Sequence, residues 1–140
     1  MSTRTSVGIV EWGHRARGME HTHRAVADAV GRLVGDELDV ALQRALLDRA
    51  RRHGWCAEQW ESVVPVLHDV DLRVGTPDPS VAGALGALQS AADGAEARAR
   101  ELAVDERVAA LLASWADQAT PVADEPYRLV VARVVHELYG

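Results

Sequence analysis

The residues best suited to chemistry lie close together near the start of the chain, in the segment EWGHRARGMEHTH. It contains two Glu-x-x-His pairs and a third imidazole: Glu11/His14, Glu20/His23 and His21. On a helix, a carboxylate and an imidazole three residues apart can reach the same point in space. Such a pair can bind a metal ion, or its carboxylate can orient the imidazole for proton transfer.

The apolar residues around this segment indicate which pair faces the protein interior. At about 100° per residue, they form one stripe of a helix that includes His23, whereas His14 and His21 lie on the outer side. Glu20 flanks the stripe. We therefore predict an inward-facing Glu20/His23 pair on a helix whose buried stripe consists of Trp12, Ala16, Met19, His23, Val26, Val30 and Val34.

Polar groups also lie on the apolar faces of the later helical segments. His53 is seven residues from both Leu46 and Trp60, and Glu101 is seven residues before Val108. Buried polar groups are costly unless they are paired, so their convergence predicts an interior pocket. The predicted catalytic residues are His23, Glu20 and His53. The predicted substrate-binding residues are Trp60, Met19, Glu101, Trp115 and His136.

The second helical segment follows the first after a short turn. Gly35 is expected to end the first helix, and Asp36 is expected to cap the second. The second helix is long, with Gly54 and Pro65 as the expected points of irregularity. The neighbouring arginines Arg49, Arg51 and Arg52 are predicted to form a solvated face.

The rest of the chain is also predicted to be helical, since no segment has the alternation of a strand. Residues 68–79 form a loop, and Asp78 and Pro79 then begin a short helix that ends near Gly94. A long helix follows over 95–119. Pro126 opens a last helix whose apolar residues go nearly all the way round, as expected of a central element.

These elements predict an all-α fold, with four long helices and one short additional helix in a single domain over residues 1–140. The composition, 48% hydrophobic and 26% charged, is typical of a globular domain. A net charge of -6, with arginines interleaved with acids, argues against a nucleic-acid partner. One cysteine, no signal-type leader and no apolar run of about 18 residues favour a cytoplasmic protein without a membrane partner.

Two stretches, DRARRHGWCAEQWESVVPVLHDVD and EPYRLVVARVVHELYG, together with the helical layout, resemble small actinobacterial ferritin-like proteins of unassigned activity. Ferritin-like proteins hold two metal ions with a Glu from each of two helices and a Glu-x-x-His from each of the other two. Here Glu20/His23 matches that pattern, but Ala50 stands three residues before His53. The resemblance implies a ferritin-like four-helix bundle. Because the departure from the ligand pattern leaves the dimetal set incomplete, no cofactor is predicted. A retained metal would be mononuclear, bound by His23, Glu20 and His53.

The resemblance and the inward histidines together predict a small-molecule enzyme of specialised metabolism. Its interior pocket would run metal-independent acid/base chemistry on a small organic substrate: a cyclisation, an isomerisation or a condensation. His23 would be the general acid/base, Glu20 would orient it or tune its pKa, and His53 would be the opposing polar group.

Two other functions stay open. One is a non-catalytic helical protein that assembles with itself or with a partner enzyme. The other is a metalloenzyme, either ferritin-like or of the HD phosphohydrolase type, in which His68 and Asp69 would be ligands. A closed cavity between His23 and His53 would favour the enzyme, and an exposed apolar patch would favour assembly. A homodimer is compatible with both.

Overall fold

A computed structural model describes residues 7–140, and within that range all regular secondary structure is helical. The all-α prediction is confirmed. The helices are α1 (Ile9–Gly31), α2 (Val40–Glu61), α3 (Pro79–Gln89), α4 (Gly94–Gln118) and α5 (Glu125–Tyr139). Helix α1 lies against α2, and α3 lies against α4, while α5 contacts both α2 and α4. No helix in the described part of the chain has the length and apolar character needed to cross a membrane.

The predicted stripe of α1 is buried. From Trp12 to Val30 its members are at most 1% exposed. The helix boundary is not where the sequence suggested, because α1 ends at Gly31 and three tighter hydrogen bonds between residues i and i+3 follow. The N-cap of α2 is Asp39, whose side chain accepts a hydrogen bond from the Leu42 amide at 3.1 Å, and not Asp36.

The middle of the chain follows the predicted order with shifted boundaries. Helix α2 continues regularly through Gly54 and ends before Pro65. Asp78 caps α3 and Pro79 opens it, as predicted. The helix ends at Gln89, before the predicted Gly94. Asp93 accepts a hydrogen bond from the Glu96 amide at 2.8 Å and caps α4, so Gly94 is instead the first residue of that helix.

Helix α5 is not the central element that its apolar composition suggested. Its inner residues pack on α2 and α4, but Leu129, Val135 and Tyr139 are between 38% and 45% exposed. Apolar residues also lie on the outer face of α5, between the exposed Arg128, Arg133 and His136, and no other element of residues 7–140 covers that face.

Two glycines of α1 allow the segment between α2 and α3 to cross that helix. A Cβ atom at Gly18 would lie 2.5 Å from the carbonyl oxygen of Thr76, and one at Gly13 would lie 2.8 Å from Leu72 Cδ1. Both contacts are closer than a Cβ atom tolerates without a shift of its neighbour, and at Gly18 that neighbour is backbone. Gly18 in particular therefore allows this segment to cross close to α1.

Replacing Gly18 with alanine is expected to lower the free energy of unfolding by about 1–3 kcal/mol, as for other overpacked sites. Helix propensity alone would raise it by about 1 kcal/mol. The matched control is Gly83→Ala in α3, where a Cβ meets nothing within 4 Å and only the propensity gain should remain. Urea denaturation measures both variants. Equal stabilisation in the two would show that the loop does not press on Gly18.

Candidate functional site

Two histidines from neighbouring helices meet in the core. His23 of α1 and His53 of α2 are both 0% exposed. Their Nδ1 atoms lie 3.0 Å apart, which is the distance of a hydrogen bond. The helical periodicity that predicted an inner position for each histidine is thus consistent with the structure, in which the two rings are in direct contact.

The far side of the His53 ring contacts two carboxylates of α4. His53 Nε2 lies 3.1 Å from Asp105 Oδ1 and 3.3 Å from Glu101 Oε1. The two acids are one helical turn apart, and neither is more than 4% exposed. Glu101 was predicted from its spacing, whereas Asp105 was missed. Its position four residues after Glu101, on the same face of a helix, was the available signal.

Two arginines compensate the charge of these carboxylates. Arg49 Nε lies 2.7 Å from Glu101 Oε1, and another nitrogen of the same guanidinium lies 2.7 Å from Asp105 Oδ2. Arg98 binds the second oxygen of Glu101. Arg49 is thus part of the interior and not of a solvated face. We refer to His53, Glu101, Asp105 and Arg49 as the buried ionic cluster.

The surroundings shift the pKa values of the two histidines in opposite directions. Burial lowers the pKa of His23 well below its usual value, and the charge of His53 lowers it further. Burial also disfavours charge on His53, but hydrogen bonds donated to Asp105 and Glu101, together with the negative charges of these acids, outweigh burial and raise the pKa of His53. A proton shared by the pair therefore resides on His53.

The contacts define a proton relay. When both rings are neutral and His53 Nε2 donates to a carboxylate, His53 Nδ1 accepts the Nδ1 proton of His23. His23 Nε2 then carries a lone pair, and it has no hydrogen-bond partner within residues 7–140. A proton that arrives at this atom can be matched by transfer of the Nδ1 proton to His53. The positive charge then rests beside the carboxylates.

The structure does not bring two of the predicted residues to this site. The carboxylate of Glu20 binds Arg24 at 3.1 Å and also binds Arg17, so it neither orients His23 nor contacts it. These arginines lie on the same helix, three and four residues away, and reach Glu20 on its outer flank. His136 is exposed on the outside of α5, because that helix is peripheral and its apolar outer face was mistaken for an interior one.

The predicted aromatic residues form part of the apolar core. Trp60 and Trp115 pack edge to face with ring centroids 5.9 Å apart, and Trp12 stacks on Tyr127 at 4.9 Å. Trp115 and Met19 also line a cavity of about 250 Å³ beneath residues 76–79. The cavity is also lined by the exposed His14 but not by His23, which lies one turn after Met19 on the same stripe of α1.

The donor atoms of the buried ionic cluster differ from those of a ferritin-like dimetal site. A dimetal site uses four carboxylates and two histidines, whereas the cluster contains two carboxylates. His53, Glu101 and Asp105 could surround a single ion, since their donor atoms lie within 4.8 Å of one another. However, two guanidinium groups already neutralise both acids, so a divalent cation would bring uncompensated charge into the core. This arrangement therefore does not fit a metal.

His68 and Asp69, the ligands of the HD-type alternative, are exposed in the segment after α2, whereas His23 and His53 are buried in the core. That alternative therefore gains no support from geometry. Cys56, one turn after His53, is buried, and burial raises the pKa of its thiol to about 12. It is therefore a neutral, weakly nucleophilic group at physiological pH.

Protein purified without a histidine tag is expected to contain far less than one equivalent of iron, manganese or zinc, because the arginines compete with a cation for the carboxylates. Elemental analysis measures this directly, with the His23→Ala and His53→Ala variants alongside. A near-stoichiometric metal content that falls in both variants would show that the arginines do not exclude a cation, and it would support a metalloenzyme.

Comparison of the chain with protein-family models, curated proteins and solved structures gave no significant match.

Proposed function

We propose that the protein is a small-molecule enzyme in which His23 Nε2 acts as the general acid/base and His53 acts as its proton relay. One observation carries the proposal: the two Nδ1 atoms lie 3.0 Å apart, while the opposite nitrogen of His53 faces Glu101 and Asp105. The scaffold in this proposal is a ferritin-like helical bundle that has lost most of its metal ligands.

The relay explains how a buried imidazole can still accept a proton. Desolvation disfavours charge on His23 itself. A proton taken from a substrate at Nε2 releases the Nδ1 proton to His53, whose imidazolium is stabilised by two carboxylates. Reversal of these transfers returns the proton to a different atom of the substrate. The cycle has no net redox change, which is the requirement of an isomerisation, a cyclisation or a condensation.

The cavity that Met19 and Trp115 line is the proposed substrate site. Its volume of about 250 Å³ suits a small metabolite. The guanidinium of Arg15, which lies 5.1 Å from the Trp115 ring, supplies a polar wall. In this proposal the thioether of Met19 separates the substrate from His23. An unbranched side chain such as methionine changes rotamer readily, so it can admit the reacting atom.

The proposal can be tested with 5-nitrobenzisoxazole, a general probe whose ring opens when a base removes its carbon-bound proton. Wild-type protein is expected to accelerate ring opening, and His23→Ala to lower the rate by at least about 100-fold, the usual contribution of a general base. The matched control is His21→Ala, which removes an exposed imidazole from the same helix. Circular dichroism of each variant verifies folding.

Equal rates in wild type, His23→Ala and His21→Ala would overturn the proposal, because an imidazole that no probe reaches cannot be a catalytic base. Nitrogen-15 NMR gives a second readout. The neutral pair is expected to show His53 protonated at Nε2 and His23 protonated at Nδ1. The opposite tautomers would leave His23 Nε2 as a donor and would remove the base.

Assembly with another protein is a second candidate, and the exposed apolar face of α5 favours it. In that case the histidines would have a structural role only. His23→Ala would then lower the free energy of unfolding without changing any turnover. The two functions are compatible, since assembly through α5 would not cover the proposed substrate cavity beside α1.

A further inference from the structure

Arg15 lines the cavity beneath residues 76–79, and much of its hydrogen-bonding capacity is unused. Its Nε donates a hydrogen bond to Glu11 Oε1 at 3.3 Å. Its Nη1 atom is buried and has no hydrogen-bond partner in the described part of the chain. A buried N–H group without a partner is costly, and the cost is larger for a charged group. A ligand that brings an acceptor to this guanidinium would remove that cost.

Two indole rings hold the guanidinium of Arg15 in place. Its central carbon lies 5.0 Å from the ring centroid of Trp12 and 5.1 Å from that of Trp115. The Arg15 side chain is 16% exposed, so most of it is removed from water. The attraction between a cation and an aromatic ring is stronger when the cation is desolvated. This packing restricts the guanidinium before a ligand arrives, which lowers the entropic cost of binding.

Two carboxylates also line the cavity, and both have other roles. The side chain of Glu11 is 59% exposed and contacts Arg15 at Nε rather than at its terminal nitrogens. Asp78 caps α3 by accepting hydrogen bonds from the Ser80 amide at 2.9 Å and from the Ser80 hydroxyl at 2.7 Å. Neither acid therefore satisfies the terminal nitrogens of Arg15, and an acidic ligand can still pair with them.

The remainder of the lining favours a ligand with a planar apolar part. Trp115 and Met19 are 4% and 1% exposed, and the rings of Pro77 and Pro79 lie opposite them on the segment that covers α1. Indole faces and edges pack well against another planar ring, and a thioether also contacts aromatic rings favourably. The planar fork of a guanidinium matches the geometry of a carboxylate. The two features together suit a molecule with an aromatic ring at one end and a carboxylate at the other.

We propose that the cavity binds a small aromatic carboxylate, with the carboxylate on Arg15 and the ring beside Trp115 and Met19. This assignment rests on the proposed function, in which the cavity is the substrate site, and it adds the chemical class of the substrate. Met19 lies one turn after Arg15 on α1, and His23 lies one turn after Met19. A carboxylate held at Arg15 therefore directs the other end of the molecule toward His23.

Isothermal titration calorimetry with benzoate tests the proposal on the full chain. Wild-type protein is expected to bind benzoate at millimolar concentration. It should bind benzyl alcohol at least about 10-fold more weakly, because the alcohol lacks the charge that pairs with Arg15. Arg15→Met keeps an unbranched chain beside the indoles and should weaken benzoate binding by at least about 10-fold. The matched control is Arg44→Met, which removes an exposed arginine from α2 and should leave the affinity unchanged.

Amide chemical shifts locate the bound benzoate, and the largest changes are expected in the first half of α1 and in residues 76–79. Absence of binding to wild-type protein would overturn the proposal. So would equal affinities for benzoate and benzyl alcohol, a comparison that needs no variant and does not depend on the folding of Arg15→Met. Shift changes confined to α5 would also contradict it, since the ligand would then lie on another surface.

The nitrobenzisoxazole assay separates this proposal from the catalytic role of His23. Benzoate binding that depends on Arg15, in a protein that does not accelerate ring opening, would support the carboxylate site and reject His23 as the base. Ring opening that depends on His23, in a protein that does not bind benzoate, would support the base and reject the carboxylate site.

Discussion

Arg49→Met is expected to lower the free energy of unfolding by about 3–5 kcal/mol, the cost of removing one partner from a buried ion pair. The Arg49 guanidinium binds Glu101 and Asp105 at 2.7 Å each. Their side chains are 0% and 6% exposed, so neither carboxylate can recover its hydration in the folded protein. Methionine fills much of the same volume but supplies no charge. Urea denaturation at pH 7 measures the loss.

Two further variants separate charge from packing. Arg52→Met removes an arginine whose ion pair with Asp48 is largely exposed, and it should cost no more than about 1 kcal/mol. Combining Arg49→Met with Glu101→Gln and Asp105→Asn should restore part of the lost stability, because neutral amides cost less to bury than uncompensated carboxylates. A loss below about 1 kcal/mol for Arg49→Met alone would mean that water reaches the acids.

The free energy of unfolding is expected to decrease as the pH falls from about 6.5 to 5. The pKa of His23 is lowered by burial and by His53, so in this window the unfolded chain binds a proton that the folded protein does not. The steepest slope for one such group is about 1.4 kcal/mol per pH unit. The raised pKa of His53 acts oppositely, since its contribution is complete below about pH 6.5 and is lost as the pH rises through its folded value.

The free energy of unfolding should therefore pass through a maximum. Below the maximum it falls because of His23 (the acid limb), and above it falls because of His53 (the alkaline limb). Urea unfolding at intervals between pH 5 and pH 8.5 measures the profile. His23→Leu should remove the decrease in the free energy of unfolding between about pH 6.5 and pH 5, whereas His21→Ala should keep it. An unchanged acid limb in His23→Leu would assign the effect to another group.

Helical periodicity was sufficient to place His23, His53 and Glu101 on inner faces, and all three are fully buried. It could not show that these residues lie at the same height along the packed helices, because the spacing along one helix says nothing about its axial position against another. This relative axial position determines which residues of the neighbouring helices contact the site. Asp105 and Arg49 were missed for this reason, since charged residues are assigned to solvent unless a partner on another helix is known.

The misplacement of Glu20 had a different origin. Arg17 and Arg24 stand three residues before and four residues after it, and such intrahelical pairs are legible in the sequence. His136 was misplaced because an apolar pattern around a whole helix indicates burial without indicating by what. On α5, part of that pattern is the uncovered outer face.

The last turn of α5 forms hydrogen bonds with two residues of the buried ionic cluster. The Tyr139 hydroxyl donates to the backbone carbonyl of Asp105 at 2.6 Å, and Arg49 donates to the carbonyl of Leu138 at 3.4 Å. Terminal turns are where helices fray first. Each fraying event removes two hydrogen bonds from the residues that set the proton affinity of His53. Amide hydrogen exchange at the end of α5 therefore reports how often the core histidines lose their electrostatic support.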